Sequence, residues 1–379
     1  MKYIGVLGDG ITAKAVKSFI NKSDAYQEVP LESAEIIITS PGIPPRKWPK
    51  VAVEIISDIE FAYRELIKQG NVPTIIGITG TNGKTTVAAG IAHGLGVTAY
   101  GNIGQPLISK LDELQKTKPI VLELSSFQLY SSPTLHCDIG IIVNIEPDHL
   151  DWHETFGSYK MAKKTMIKSS NQKIYIPQIL TQDVQDLNEN IQIIDTLPNV
   201  NWEQFSGNHN QLNAALIYQV LLDVGQESES IHTAMSTFNV PPFRCEAVFS
   251  NQSLTIINDS KATNMAATMA AINSFSEKKL LILSGEPKDR YSTDWLESVF
   301  KSCSSVYATG YLNEHRTVFP EKFQSKILFF SNLKSATEAA IKNFKDGVIL
   351  FSPSAASFDE FKNYIERGEA FNSYVFEAI

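Results

Sequence analysis

The sequence reads as an α/β protein with mostly parallel sheets in three domains, and three observations carry that reading. Short β-branched runs alternate with amphipathic stretches, the pattern written by βαβ units. The alternation starts afresh near the C-terminus, which marks a separate sheet. Two breaks, Gln69-Gly70-Asn71-Val72-Pro73 and Val240-Pro241-Pro242-Phe243, have the glycine and proline content of linkers.

The length of 379 residues agrees, since about 150 residues per domain suggests two or three domains. Hydrophobic residues at 43% and charged residues at 20% exclude wholesale disorder and fibrous repeats. The net charge of -8, from 41 acidic and 33 basic residues, argues against a nucleic-acid coat or a binder of anionic membranes. Any anion must therefore meet a local site. The odd, widely spaced Cys137, Cys245 and Cys303 fit neither a disulfide framework nor a metal knuckle and suit a reducing compartment. No apolar run reaches the roughly 18 residues of a membrane span. The start reads as strand, glycine turn and helix rather than as a signal peptide, so a cytoplasmic protein without membrane insertion is expected.

In chain order, Tyr3 to Leu7 reads as the first strand, followed by the turn Gly8-Asp9-Gly10-Ile11-Thr12-Ala13. That turn satisfies GxGxxA, a weak dinucleotide motif, but no acidic residue ends a second strand about 20 residues on to hold a ribose. Ile36 to Thr39 is the next strand, and the first domain is placed at 1–71. The central domain, 72–240, opens on the sharpest local signal, Ile75-Ile76-Gly77-Ile78-Thr79-Gly80-Thr81-Asn82-Gly83-Lys84-Thr85-Thr86. A buried-type strand runs into a glycine-rich loop and then a helix starting near Thr85, the context in which loop N–H groups, Lys84 and the Thr85 hydroxyl meet phosphates and Mg²⁺. Ile78 stands where GxxxxGK[ST] has its first glycine, so this is a variant of that loop. The plainer reading is a glycine turn beside an accidental lysine.

Ile120 to Leu124 and Ile139 to Asn144 are further strands. Glu123 ends the first of them, where ligands of α/β sheets bind, and reads either as a Mg²⁺ ligand beside Thr85 or as a surface acid. Past the second, His149 sits between Asp148 and Asp151 and reads as a catalytic or metal-binding group or as a structural histidine, with His153 close by. Tyr159-Lys160-Met161-Ala162-Lys163-Lys164 reads by itself as a solvated basic helix face. Leu280 to Leu283, Ser305 to Ala308, Ile327 to Phe330 and Val348 to Phe351 are the strands of the third domain, 241–379.

Gly80-Thr81-Asn82-Gly83-Lys84-Thr85-Thr86 with Glu123, His149 and a lysine some fourteen residues later resembles the Mur ligase superfamily. Gly207-Asn208-His209-Asn210-Gln211-Leu212-Asn213 is similar to its adenine-side GxHNxxN motif. Ile257-Asn258-Asp259-Ser260-Lys261-Ala262-Thr263-Asn264 is similar to NDSKATN, and Leu350 to Gly368 to LSPxxASxDxFxxFxxRG. The last two motifs point to the members that add D-glutamate to UDP-N-acetylmuramoyl-L-alanine. The resemblance implies an N-terminal Rossmann-like domain for the UDP-sugar, a central P-loop ATPase-type domain, and a C-terminal Rossmann-like α/β domain that closes over the site.

It further implies a monomeric enzyme of peptidoglycan precursor synthesis that phosphorylates the substrate carboxylate with ATP, lets an amine attack the acyl phosphate, and uses two Mg²⁺ ions. ATP would be held by Gly80 to Thr86, Asn210, Asn213, Arg244, Asp259 and Lys261. Thr85, Glu123, His149 and Lys163 would hold metal, with Lys163 carbamylated in its YxxAK context. Ile11, Thr12, Asn102 and Ser125 would meet the UDP substrate, and Ser40-Pro41-Gly42-Ile43 matches the family's SPGI turn. Thr263, Lys288, Ser357, Phe358 and Tyr364 would meet D-glutamate, with Arg290 an alternative to Lys288. Two rival readings are another amide ligase of the superfamily and a catalytically idle nucleotide-binding regulator.

Overall fold

The computed structural model describes residues 1–70, 72–115, 117–184, 190–194, 202–205, 208–288 and 290–379. Asn71, at the end of the first expected domain, and Gly207, which opens the GxHNxxN segment, lie outside the described residues. Three sheets are present. The first is parallel, in the order Tyr26–Glu28, Lys2–Leu7, Ile36–Thr39, Glu54–Ser57. The second is also parallel, ordered Ile191–Ile194, Ser170–Pro177, Cys137–Ile142, Ile75–Thr79, Ile120–Glu123, Ala99–Gly101. In the third, Glu246–Ser250 pairs antiparallel with Leu254–Asn258, and Gly347–Ser354, Lys279–Ser284, Ser305–Thr309 and Ile327–Phe330 continue it in parallel.

The chain divides between Val240 and Pro241 into two compact units. The first unit contains the first two sheets, which share one hydrophobic cluster: Ile4, Ile38, Ile56 and Phe61 pack with Leu107, Leu124, Leu129 and Leu135. A polar seam reinforces it. The buried Glu60 carboxylate accepts hydrogen bonds from the Thr134 and Leu135 amides at 3.1 and 2.9 Å, and Gln128 Nε2 donates to the buried Asp58 at 3.3 Å. The stretch after Lys68 thus joins two sheets with a common core.

Within the second sheet, Ile75 faces that shared cluster while Ile76 and Ile78 face another, which is why the strand Ile75–Thr79 is apolar at nearly every position. Against the second face lies the helix Lys84–Leu95, packed on the helix Asn208–Asp223. A Cβ on Gly90 would stand 2.4 Å from Ile217 Cδ1, and one on Gly94 2.5 Å from Leu221 Cδ1. These two glycines, one helical turn apart, let the helices approach closely and bring the start of Asn208–Asp223 to the loop before Lys84.

The second unit is doubly wound. Leu281, Leu283 and Leu350 pack with Ile272, Leu296 and Val299 on one face. Leu280, Ile282 and Phe351 pack with Leu333, Ala336, Phe371 and Val375 on the other. No described helix is long and apolar enough to cross a membrane.

Candidate active site

The glycine-rich loop sits at the C-terminal end of Ile75–Thr79, between Cys137–Ile142 and Ile120–Glu123. Its shape is set by the segment following Ile142. Asn144 Oδ1 accepts from the amides of Thr81 and Asn82 at 3.0 and 2.9 Å. Thr81 Oγ1 donates to the Glu146 carbonyl, accepts from the Glu146 amide, and bonds Tyr159 Oη at 2.8 Å. Gly83 has φ +79, and a Cβ there would lie 2.6 Å from Asn213 Oδ1. Asn213 Nδ2 in turn donates to Asn210 Oδ1 at 3.3 Å. Both buried asparagines thus stand beside the loop although they are about 130 positions away in sequence. The Lys84 ammonium folds onto the loop, donating to the Gly80 and Thr81 carbonyls at 2.7 and 2.8 Å. Thr85 follows in the first helical turn, where N–H groups lack intrahelical acceptors and the helix end is electropositive.

Glu123 lies beside this loop, in register with Ile78. Its Oε1 accepts from Asn102 Nδ2 at 2.7 Å, while the buried Oε2 has no hydrogen-bond partner among the described residues. An unpaired buried carboxylate oxygen is costly, and a hard cation is a group that would satisfy it. Mg²⁺ is usually held by one or two carboxylates, phosphate oxygens and waters, so Glu123 with the Thr85 hydroxyl suits it. Among the described residues no three His, Cys, Asp or Glu side chains converge on a common metal position, and any ion here would draw on hydroxyl, phosphate and water ligands as well.

His149 has φ 55, a left-handed conformation uncommon for a histidine. Its amide donates to Asp148 Oδ1 at 2.8 Å, Nε2 lies 3.5 Å from Asp148 Oδ2, and the half-exposed ring meets Phe127 edge-on. Such strain persists where the surroundings enforce it and concentrates at functional sites. His153 is a different kind of group. It is buried, its Nε2 pairs with Ser126 Oγ at 2.9 Å, and burial pushes its pKa down to about 4.

Lys163 is fully buried on the helix Phe156–Ser169, so the sequence-based reading of a solvated basic face fails at this position. Its Nζ donates to the Gly80 carbonyl at 2.6 Å and lies 4.8 Å from the Tyr159 ring centre. Burial, followed by repulsion from Lys84, holds its pKa well below the ordinary lysine value. Burial and Lys84 thus work against a cation here, and the charges of Asp148 and Glu123 offset part of that.

Ser125 caps the helix Ser126–Tyr130 in a capping box with Gln128, so its hydroxyl has a structural duty. In the first sheet, Ile11 and Thr12 open the helix Ile11–Lys22, whose cap residue Gly10 supplies no side-chain hydrogen bond. Beside that turn lies Ser40, whose buried Oγ has no partner among the described residues; a Cβ on Gly8 would lie 2.3 Å from it. Trp152 Nε1 donates to the Pro41 carbonyl at 3.0 Å, which ties the SPGI turn to the helix that follows His149.

In the second unit, Asp259 accepts from the Cys245 amide at 3.2 Å and from Ser352 Oγ at 2.7 Å, and burial raises its pKa to about 7. Arg244 lies near enough to act on that charge, and Lys261 Nζ sits 4.2 Å from the Tyr364 ring centre. Reciprocal backbone bonds between Glu286 and Ala356, 2.9 and 3.1 Å, place the loop bearing the exposed Lys288 beside buried Ser357 and exposed Phe358. Thr263 lies on the neighbouring Asp259–Asn264 segment. Arg290 is also exposed.

Asn144, Tyr159 and Ser40 received no role from the sequence alone. Asn144 follows a strand that pairs with Ile75–Thr79, but the choice of loop amides as its partners emerges only in the folded sheet.

Comparison with known proteins gives one consistent answer. The Mur ligase middle domain profile matches residues 78–194. A UDP-N-acetylmuramoylalanine–D-glutamate ligase of Prochlorococcus marinus is 31% identical over 406 residues, covering 95% of this chain and 86% of its own length. A ligase of the same name from Francisella tularensis subsp. novicida is 32% identical, covering 98% and 95%. Among solved structures, MurF ligase from Thermotoga maritima in complex with ADP superposes with a TM-score of 0.62 at 16% identity, covering 99% of this chain and 93% of that one. UDP-N-acetylmuramate-alanine ligase MurC from the same organism gives 0.61 at 16%, with complete coverage of both chains. At those identities the structural matches speak for the fold.

Proposed function

The chain belongs to the Mur ligase family, and from that premise we propose that it is an ATP-dependent ligase joining D-glutamate to UDP-N-acetylmuramoyl-L-alanine in the cytoplasm, acting as a monomer in peptidoglycan precursor synthesis. The substrates follow from the D-glutamate ligases that match nearly the whole chain. The chemistry rests on one structural observation, the gathering of Lys84, the glycine loop, Asn213 and the half-satisfied Glu123 at one end of the central sheet.

In the first step an oxygen of the L-alanyl carboxylate attacks the γ-phosphorus of ATP and ADP departs. Lys84 and the N–H groups around Thr85 face charge that is almost wholly negative, and they offset it in the ground and transition states. In the second step the D-glutamate nitrogen attacks the acyl carbon, inorganic phosphate leaves, and the amine gives up a proton. Asn210 and Asn213 hold the nucleotide side of the loop, and Arg244, Asp259 and Lys261 are the other ATP-binding residues of this reading. Thr85 and Glu123 would hold one Mg²⁺ and His149 with Lys163 a second, and such ions would supply positive charge to the transferring phosphoryl group.

Lys163 suits that role only as a carbamate. Its neutral amine adds to CO₂ and loses one proton, and a cation that would repel Mg²⁺ becomes an anion that binds it. Ile11 and Thr12 at a helix N-terminus receive the uridine diphosphate, with Asn102 and Ser125 on the muramoyl side. Thr263, Lys288, Ser357, Phe358 and Tyr364 receive D-glutamate, whose two carboxylates call for charged and hydroxyl donors.

Phosphate release from ATP, Mg²⁺ and UDP-N-acetylmuramoyl-L-alanine, compared with D-glutamate, L-glutamate, L-lysine and meso-diaminopimelate, tests the reading. Turnover with D-glutamate alone is expected, and Lys84→Ala should abolish it. Full activity of Lys84→Ala, or preference for another amino acid, would count against it.

A further inference from the structure

Arg367, on the helix Tyr364–Ala378, is the largest fully buried side chain among the described residues. Among the described residues no carboxylate pairs with it within 4.0 Å. Its donors go instead to three separate loops. Nε donates to Ser260 Oγ at 3.1 Å and Nη2 to the Ser260 carbonyl at 2.9 Å. Nη1 donates to the Ser284 carbonyl at 3.3 Å, and Nη2 also to the Ala355 carbonyl at 3.1 Å. Asp359, Glu360 and Asp259 act on its charge only from beyond ion-pair distance, so the buried guanidinium is expensive, and apolar packing of similar volume would be cheaper. What an apolar side chain lacks is a rigid fork of donors that fixes several acceptors at once.

The loops so fixed are those that carry Thr263, Lys288 and Ser357. They are also tied to one another. Gly285 has φ +103, and a Cβ on it would meet the Ala356 carbonyl oxygen at 2.0 Å and Arg367 Nη1 at 2.7 Å. Ser260 Oγ donates to the Tyr364 carbonyl at 2.8 Å, and Asn258 Nδ2 to the Gly368 carbonyl at 2.9 Å.

We propose that Arg367 is a positioning residue for the incoming amino acid: by holding the carbonyls of Ser260, Ser284 and Ala355 it sets the spacing of the loops that present Thr263, Lys288 and Ser357. The proposal rests on the reading that these three residues bind D-glutamate. Lysine offers a point charge in place of the fork, so Arg367→Lys loosens the loops while leaving a cation in the core.

The test uses the full chain and two readouts. In steady-state kinetics Arg367→Lys should raise the KM for D-glutamate by roughly tenfold, the loss expected when a few charge-assisted hydrogen bonds are only partly replaced. The KM values for ATP and the UDP-sugar should stay within about a factor of two, as befits loss of binding confined to one substrate. In hydrogen–deuterium exchange, protection should fall in 259–264, 284–288 and 354–358 and stay level across the sheet strands. All three KM values moving together with a general loss of protection, or an unchanged KM for D-glutamate in a folded variant, would overturn the proposal. Should Arg367→Lys not fold, Ser260→Ala removes the Nε contact and the Ser260 Oγ bond to the Tyr364 carbonyl while leaving the guanidinium contacts to the three carbonyls; a smaller rise confined to the D-glutamate KM supports the proposal, and no change overturns it. If the wild-type chain does not use D-glutamate, the proposed function fails, and the exchange pattern still decides whether Arg367 orders the three loops.

Discussion

Replacing Gly83 by alanine isolates the geometry on which the proposed nucleotide loop depends. A Cβ there would stand 2.6 Å from Asn213 Oδ1 and 2.9 Å from Val143 Cγ1. Ordinary contact begins at 3.4 Å, so the two neighbours must give by 0.8 Å (3.4 − 2.6) and 0.5 Å (3.4 − 2.9). A left-handed L-residue costs about 1–2 kcal/mol, and forcing extra volume into a packed site about 1–3 kcal/mol. Gly96, the C-cap of the same helix, has φ +62 with nothing within 4 Å of its Cβ position. Gly96→Ala therefore bears the backbone cost alone. The difference, about 1–3 kcal/mol, falls on Asn213 and the loop, and at about 1.4 kcal/mol per tenfold it corresponds to a kcat/KM for ATP lower by roughly 5- to 140-fold. Paired thermal melts and ATP-dependence curves of the two variants read both quantities. Equal melting temperatures and equal ATP kinetics would refute the reasoning.

Two further outcomes are expected. Lys163→Ala should lose ligase activity and regain part of it with added short carboxylic acids, which supply the missing carboxylate; no rescue in a folded variant counts against the carbamate. Burial holds Asp259 at about 7, above its ordinary 3.8, so the folded chain keeps a proton that the unfolded chain releases, and stability falls as pH rises from about 4 to about 7. Asp259→Asn should then raise the melting temperature by an amount that grows across that window and levels off above it; a gain independent of pH would contradict the burial argument.

Strands rich in β-branched residues were legible in the sequence because parallel strands buried on both faces are apolar throughout. Ile36–Thr39, Ile75–Thr79 and Ile327–Phe330 were read to the residue. Tyr26–Glu28 and Ala99–Gly101 were missed because three residues carry no periodicity, and the edge strand Glu246–Ser250 because its burial is slight. The nucleotide loop announced itself because its glycines, lysine and threonines are contiguous. Glu123 was visible as a strand-end acid. Its link to Asn102, the grip of Asn144 on the loop amides and the carbonyl contacts of Arg367 were not, since each joins segments that only the sheets bring together. By charge pattern Lys163 is one lysine among several on an exposed face; only the YxxAK resemblance singles it out in the sequence, and in the fold burial sets it apart from Lys160 and Lys164.

The central claim is that the substrate carboxylate is activated by phosphoryl transfer before the amine attacks. Its most direct test uses UDP-N-acetylmuramoyl-L-alanine labelled with ¹⁸O in the alanyl carboxylate, with ATP, Mg²⁺ and D-glutamate, followed by mass analysis of the released phosphate and of the ligated product. An acyl phosphate requires that each turnover carry one ¹⁸O of the carboxylate into inorganic phosphate while the product gains the mass of glutamate less one ¹⁸O-labelled water. Ligation accompanied by unlabelled phosphate, or by AMP in place of ADP, would contradict the account.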